Sequence, residues 1–135
     1  MVAITFTGHW TGAKTIPEQK VIVFKKIREG IKCTTIRERA RCKPGDQLQL
    51  YWHMRQRDCE KILDTVCREV APILIYENYI ILNGVKIQDP SELHYLAVRD
   101  GFRDYDSFLK YFTEGLLYHW IKWTPPTMRQ LEGFL

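Results

Sequence analysis

The residues best suited to chemistry lie close together between Gly30 and Arg37. A lysine, a threonine and an arginine follow one another there as Lys32, Thr35 and Arg37. These polar groups are expected at a junction between a helix and a strand, where regular elements hold them on both sides. The segment therefore predicts a site for an anion or a polar ring.

A helix and a strand are predicted to meet at this site. Gly30 follows a basic helical turn and can close the helix in a left-handed conformation, and residues 34–36 begin a β-branched strand. In a straight strand Thr35 and Arg37 point to one face and Lys32 to the other, so Lys32 reaches Thr35 only where the chain bends. A solvated turn that carries two cations and no chemistry is the simpler interpretation.

The whole chain of 135 residues is predicted to form one α+β domain, residues 1–135. The predicted elements are strand 1–7, a helix from 15 to 30, a strand from 34, strands 47–54, 62–70 and 73–77, hairpin 79–87, a helix from 89 to 101, a short helix from 105 and strand 118–123. A short helix over 60–68 is the alternative within the middle of the chain. No structure is predicted for the tail from about 124.

Two local patterns make specific predictions about packing and turns. An apolar stripe at helical spacing, made of Val21, Phe24 and Ile27, is predicted to face the core. The dipeptide Asn83-Gly84 between two apolar runs predicts a two-residue type I′ hairpin turn.

Composition limits the classes of protein to consider. No apolar run reaches the roughly 18 residues that a membrane span requires, and the N-terminus has no basic region followed by an apolar core, so we expect a cytoplasmic protein without a membrane partner. The four cysteines form no Cys-x-x-Cys pair and no histidine lies at zinc-finger spacing, so neither a metal nor another cofactor is expected.

Basic residues concentrate around the Gly30–Arg37 segment. Residues 25–43 carry eight lysines and arginines against two glutamates, within a net charge of +4 for the chain. A basic stripe interrupted by apolar residues suits a phosphate backbone, so RNA is an expected partner, although a solvated face explains the same pattern.

Three short stretches follow one another in the order Gly-x-Lys-x-x-Thr-x-Arg at 30–37, Lys-Pro-Gly-Asp-Gln-Leu-Gln-Leu at 43–50, and Ala-Val-Arg-Asp-Gly-Phe at 97–102 followed by Tyr-Asp-Ser-Phe-Leu at 105–109. Together these stretches resemble the ASCH domain family, a branch of the PUA-like β-barrels. The resemblance covers about residues 17–123. It implies a small PUA-like β-barrel of five to seven mostly antiparallel strands with two or three helices.

The resemblance also implies site residues. Some family members hydrolyse the amide of N4-acetylcytidine with a lysine, a threonine and an acidic residue, which fall here on Lys32, Thr35 and Asp100, with Arg37 at the arginine position. Asp100 departs from the glutamate of those enzymes. The further residues expected to bind a nucleoside or nucleic acid are Trp10, Trp52, Arg39, Arg41 and Arg55.

Three functions follow as hypotheses. The first is an RNA- or nucleoside-binding domain with a basic cleft around the Gly30–Arg37 segment. The second is an amidohydrolase that removes the acetyl group of N4-acetylcytidine, or of a related small amide, through Lys32, Thr35 and Asp100. The third, also implied by the family, is a metal-independent ribonuclease.

Overall fold

Residues 1–126 are described by the computed structural model of the chain, and they form seven strands and three α-helices. The elements are β1 (Val2–Phe6), a 3₁₀ turn (His9–Thr11), α1 (Ile16–Arg28), β2 (Thr34–Arg37), β3 (Gln47–Trp52), β4 (Glu60–Ile75), β5 (Ile80–Leu82), β6 (Val85–Ile87), α2 (Pro90–Arg99), α3 (Tyr105–Leu109) and β7 (Leu117–Trp123). Most of the predicted tail, 127–135, lies outside the described residues. None of the helices in the described range is long and apolar enough to cross a membrane.

The strands form one curled sheet with the shape of a half-barrel. β1 pairs with β3 in parallel, whereas the other pairings are antiparallel. β4 is the centre of the sheet, since it pairs with β3, β5 and β7, and β7 carries β2 on its other side. The predicted α+β class and the small barrel-like architecture are confirmed. β1 and β2 lie at different edges of this sheet, and its curl brings them together, since Nη2 of Arg37 in β2 donates to the carbonyl of Thr5 in β1 at 2.7 Å.

The prediction of two strands before and after Pro72 was wrong, and so was the alternative helix over 60–68. One strand of 16 residues runs from Glu60 to Ile75, with an irregularity in pairing between Cys67 and Glu69. Pro72 lacks a backbone N–H, but its carbonyl still accepts from the amide of Asn83 at 2.9 Å. A proline therefore fits within this strand because the position requires only an acceptor.

Helix α1 begins as predicted, and its buried face differs from the predicted stripe at one residue, Val21. The Thr15 hydroxyl caps the helix by accepting from the amide of Glu18 at 3.3 Å. Val23 and Ile27 are buried with Gln19 four residues earlier, whereas Val21 is 67% exposed. The prediction was right for Ile27, and Phe24 packs half-buried against the first cluster, but it was wrong for Val21 because the buried face follows residues spaced by four through Val23.

Two apolar clusters fill the fold, and Trp10 packs against both. The first cluster joins α1 to the sheet and includes Phe6, Trp52 and Trp123. The second joins α2 and α3 to the sheet and includes Phe102. The junction between the two clusters is where the polar residues of the Gly30–Arg37 segment meet the end of α2.

The hairpin and α2 form where the sequence predicts them. Asn83 and Gly84 have φ angles of 51° and 80°, as the predicted type I′ turn requires. α2 is capped by Asp89 and ends at Arg99, so that Asp100 is its last capping residue and Gly101 turns the chain with a φ of 104°. This turn places Asp100 at the junction between the two apolar clusters.

Candidate functional site

A pocket of about 300 Å³ opens at the junction between the two apolar clusters. Its polar lining consists mainly of Lys32, Thr35, Arg37 and Asp100, and aromatic side chains form much of the remaining wall. The aromatic residues are Phe6, Trp10, Phe102, Tyr111 and Phe112. The pocket therefore brings together the three predicted catalytic residues with two of the predicted binding residues, Arg37 and Trp10.

Lys32 is buried at the base of this pocket, with 3% of its surface exposed. Its Nζ donates to the backbone carbonyl of Thr34 at 2.7 Å and to that of Asp100. Three aromatic rings surround the nitrogen, with centroids 5.1 Å away at Trp10, 5.4 Å at Phe6 and 5.9 Å at Trp123. The ammonium form is thus held by two carbonyl dipoles and three ring faces rather than by water.

Burial lowers the pKa of Lys32 to about 8. Loss of solvent around the ammonium is the main cause, the charge of Asp100 opposes it, and the charge of Arg37 adds to it. The neutral amine has two N–H groups, which match the two carbonyl acceptors, and a lone pair that can accept a proton. Lys32 can therefore act as a base in mildly alkaline solution.

Asp100 is the buried carboxylate beside this lysine. Its Oδ1 lies 4.0 Å from the Nζ of Lys32 and accepts a hydrogen bond from the Thr34 hydroxyl at 2.8 Å. Burial raises the pKa of Asp100 to about 6, while Lys32, the Thr34 hydroxyl and Arg37 oppose that rise. Near neutral pH the carboxyl group is accordingly ionised and functions as an acceptor.

The two neighbouring threonines divide between two faces of β2. Thr34 points to Asp100, whereas Thr35 lines the pocket and accepts from Nε of Arg37 at 3.0 Å. Strand alternation places Thr34 on the same face as Lys32, so the sequence contained the signal for its role although it was not identified there. The bend needed for Lys32 to share a pocket with Thr35 follows Gly30, whose φ is 77°.

Arg37 is fixed at the edge of the pocket. Its Nη2 donates to the carbonyl of Thr5 at 2.7 Å, and its guanidinium lies 5.3 Å from the ring centroid of Phe6. Burial lowers the pKa of Arg37, with Asp100 opposing the change, yet a guanidinium remains protonated in proteins. A permanent cation is thus held beside the Thr35 hydroxyl.

Gly101 allows the aromatic wall to approach the lysine. A Cβ at this position would lie 2.7 Å from Cζ3 of Trp10 and 3.0 Å from Cδ of Lys32. The Nζ of Lys26 donates to the carbonyl of Gly101 and lies 5.7 Å from the Trp10 ring centroid. Lys26 and Gly101 therefore support the site, a role that only the tertiary structure reveals.

Other predicted binding residues lie elsewhere. Trp52 is fully buried in the first cluster, with its indole N–H donated to Asp58 at 3.2 Å, so it cannot stack on a ligand ring. The reason is the alternation of β3, which turns Trp52 inward with Leu48 and Leu50. Arg55 is exposed in the turn after β3 and is outside the pocket lining.

Arg39 and Arg41 are also exposed, and both line a second pocket of about 220 Å³. Thr5 and Arg37 line both pockets, which are therefore adjacent. Among residues 1–126, no group of three histidine, cysteine, aspartate or glutamate side chains is placed to hold a metal ion.

No family model, curated protein or solved structure matches the chain. The resemblance to the ASCH domain family stays a prediction. The pocket offers a buried amine close to its titration range, a hydroxyl that accepts from a guanidinium, and a set of aromatic walls.

Proposed function

We propose that the chain binds a pyrimidine nucleoside in this pocket and hydrolyses an amide on its base, as do the N4-acetylcytidine amidohydrolases of the family that it resembles. The observation that carries the proposal is the convergence of Lys32, whose pKa is lowered to about 8, with the Thr35–Arg37 pair on one pocket. A lysine with a lowered pKa is a suitable general base near neutrality. A hydroxyl that accepts from a guanidinium is easier to deprotonate than a solvated one.

The size and walls of the pocket support a ligand with a flat ring. A volume of about 300 Å³ is at the lower end of the range for small-molecule sites, roughly 300–1,000 Å³. Trp10 and Phe102 pack against each other at a centroid distance of 5.9 Å, and both line the pocket. A pyrimidine can stack on these rings while its exocyclic amide reaches the polar groups of the lining.

The proposed reaction has two steps. In the first, Oγ1 of Thr35 attacks the acetyl carbonyl carbon and Lys32 takes the hydroxyl proton. The C–N bond then breaks, Lys32 returns the proton to the exocyclic nitrogen, and cytidine leaves with the acetyl group remaining as an ester on Thr35. In the second step, water attacks this ester with Lys32 as base, which releases acetate and restores the threonine hydroxyl.

Arg37 and Asp100 have different roles in this proposal. Arg37 stabilises negative charge on Oγ1 of Thr35 and on the developing oxyanion, because its guanidinium already donates to that hydroxyl. Asp100 positions and tunes the base: its carboxylate raises the pKa of Lys32 against the effect of burial. An aspartate can fulfil this role because the Thr34 hydroxyl holds its shorter side chain in place.

The proposal is tested by hydrolysis of N4-acetylcytidine with three threonine variants. We expect Thr35→Val to lower kcat by at least about a thousandfold, in line with loss of a nucleophile. Thr35→Ser, which keeps the hydroxyl, should remain within about tenfold of wild type. Thr34→Val, one residue away, removes the hydroxyl that holds Asp100 but leaves the proposed nucleophile in place, so we expect a smaller loss of kcat than in Thr35→Val and an acetyl ester that still forms.

Mass spectrometry of the protein during turnover provides a second readout. The mechanism predicts an acetyl ester on the residue 35 hydroxyl in wild type and in Thr35→Ser, and no ester at that position in Thr35→Val. Equal kcat values for Thr35→Val and Thr34→Val would disprove the role of Thr35 as nucleophile.

The pH profile tests the assignment of Lys32 as base. Since the neutral amine is the active form, kcat/KM should rise with pH and reach its midpoint near the Lys32 pKa of about 8. Asp100 raises that pKa, so Asp100→Asn should move the midpoint to a lower pH. A midpoint that stays in place, or moves upward, would show that another group governs the reaction.

Binding without hydrolysis is the second candidate function. The hydrogen bonds of Lys32 favour it, because Nζ donates to the carbonyls of Thr34 and Asp100. Within the described part of the chain, no hydrogen bond joins Nζ to the Thr35 hydroxyl. In that case the same pocket binds a nucleoside or an unpaired RNA base, and the assay shows saturable binding with no acetate release. The ribonuclease hypothesis stays a prediction, since no contact in the pocket favours it specifically.

A further inference from the structure

The second pocket adjoins the first and differs from it in charge. Arg37, Arg39 and Arg41 line it together with a largely apolar floor that includes Ile4, Met54 and Ile121. No acidic side chain is among its lining residues within the described chain, and neither Arg39 nor Arg41 belongs to an ion pair there. Arg39 and Arg41 therefore share this depression with Arg37, and the only acidic side chain of the described residues that acts on the pKa of Arg37 is Asp100, which lines the first pocket and not this one.

Arg37 is the residue that links the two pockets. Its Nε and Nη2 each donate one hydrogen bond, to Thr35 and to Thr5, and these fix the guanidinium in the wall between the pockets. A guanidinium has five N–H groups, so three more have no acceptor among the described residues. The Thr5 side of the wall is equally fixed, because the Thr5 hydroxyl accepts from the amide of Met54 at 3.0 Å.

We propose that the second pocket binds a phosphate ester carried by the sugar of the nucleoside in the first pocket, so that the substrate is a nucleotide or a nucleotide unit of RNA. This inference rests on the proposed function for the location of the nucleoside. Arginine binds phosphate with paired hydrogen bonds, and its planar group suits this recognition better than lysine does. The apolar floor accommodates the next nucleotide unit of the strand, on the far side of the phosphate.

The adjacency of the pockets sets the geometry of the substrate. A base against Trp10 and a phosphate near Arg39 and Arg41 lie on opposite sides of the wall formed by Thr5 and Arg37. In a nucleotide the sugar separates the base from the phosphate, so the sugar would lie over Thr5 and Arg37, between the two pockets. A free nucleoside would leave the guanidinium groups of Arg39 and Arg41 without a partner in the ligand.

The test measures equilibrium binding of cytidine, cytidine 5′-monophosphate, cytidine 3′-monophosphate and cytidine dinucleotide, none of which requires turnover. In wild type we expect at least one phosphorylated ligand to bind about tenfold or more tightly than cytidine at low salt. The preference should decrease as salt is added. It should fall below about threefold in Arg39→Gln/Arg41→Gln.

A double variant with the same change of charge controls for general electrostatic attraction. Arg57→Gln/Arg68→Gln removes two exposed arginines that line neither pocket, and we expect it to keep most of the preference. Equal affinities for cytidine and all phosphorylated ligands in wild type would overturn the inference. So would an equal loss of preference in the two double variants, or no binding of any ligand.

This test separates the inference from the proposed hydrolysis. A protein that prefers phosphorylated ligands through Arg39 and Arg41 but releases no acetate from N4-acetylcytidine supports the phosphate pocket and refutes the amidohydrolase. A protein that hydrolyses N4-acetylcytidine but binds cytidine and its phosphates equally supports the amidohydrolase and refutes the phosphate pocket. Turnover of an N4-acetylated dinucleotide then distinguishes an RNA substrate from a mononucleotide.

Discussion

Lys32→Met should reduce hydrolysis of N4-acetylcytidine by at least about a thousandfold, because it removes the only amine that lines the pocket among the described residues. Methionine has a similar length and is apolar, so it can occupy the space among the rings of Phe6, Trp10 and Trp123. The variant therefore lacks the group that accepts the threonine proton. Its kcat should stay low even at high pH, where the wild-type amine is neutral and active.

Two controls keep this result interpretable. Lys25→Met makes the same change at an exposed position of α1 and should leave kcat and KM within about twofold. The ratio of folded to unfolded protein must also be measured, since Lys32→Met leaves two backbone carbonyls without their donor and the Asp100 carboxylate without the cation 4.0 Å away, at a cost of roughly 3–5 kcal/mol. A folded Lys32→Met protein with activity within tenfold of wild type would refute Lys32 as the base.

The carboxylate partner responds in a defined direction. Lys32 and Arg37 both oppose the rise in the pKa of Asp100 that burial causes. Removal of the Lys32 charge should therefore raise the pKa of Asp100 above about 6, which can be followed by the titration of its carboxyl resonance in NMR spectra. No change in this pKa would mean that the two groups do not interact in solution.

The sequence predicted the fold where local chemistry decides it. Thr15 and Asp89 cap helices, and Asn83-Gly84 forms the predicted turn, because each acts on atoms only a few residues away. Pro72 and Val21 were misinterpreted because tertiary context overrides local preference at both positions. A long strand tolerates a proline where only an acceptor is needed, and the face of α1 is chosen by the sheet against which it packs.

In the candidate site, too, residues close in sequence were predictable and residues placed by tertiary contacts were not. Lys32, Thr35 and Arg37 are close in sequence, and a resemblance could identify them, whereas Thr34 was overlooked despite a strand alternation that places it with Lys32. Trp52 was expected at the site but lies in the core, because a strand with one buried face turns alternate residues inward. The roles of Lys26 and Gly101 depend on long-range contacts, such as their own hydrogen bond across 75 residues of chain, which periodicity cannot reveal.

Gly101→Ala is the second change with a large expected effect, on stability and on the shape of the pocket. The φ of Gly101 is 104°, where a side chain is strained, and a Cβ would lie 2.7 Å from a carbon of the Trp10 ring. We expect a loss of about 2–6 kcal/mol in the free energy of unfolding, from backbone strain of about 1–3 kcal/mol and overpacking of similar size. Denaturant titration measures this loss directly.

Gly45→Ala isolates the contribution of the clash. Gly45 has a φ of 94°, and a Cβ there would meet no atom within 4 Å, so its substitution carries backbone strain alone. We expect it to cost about 1–2 kcal/mol and to leave turnover unchanged. The additional loss of unfolding free energy in Gly101→Ala, compared with Gly45→Ala, then measures how closely Trp10 and Lys32 approach the turn after α2. Folded Gly101→Ala protein should also bind cytidine more weakly, because Trp10 must move. If the two alanine variants are equally stable, the aromatic wall is not packed against this turn, and Trp10 is not positioned by it to bind a ring.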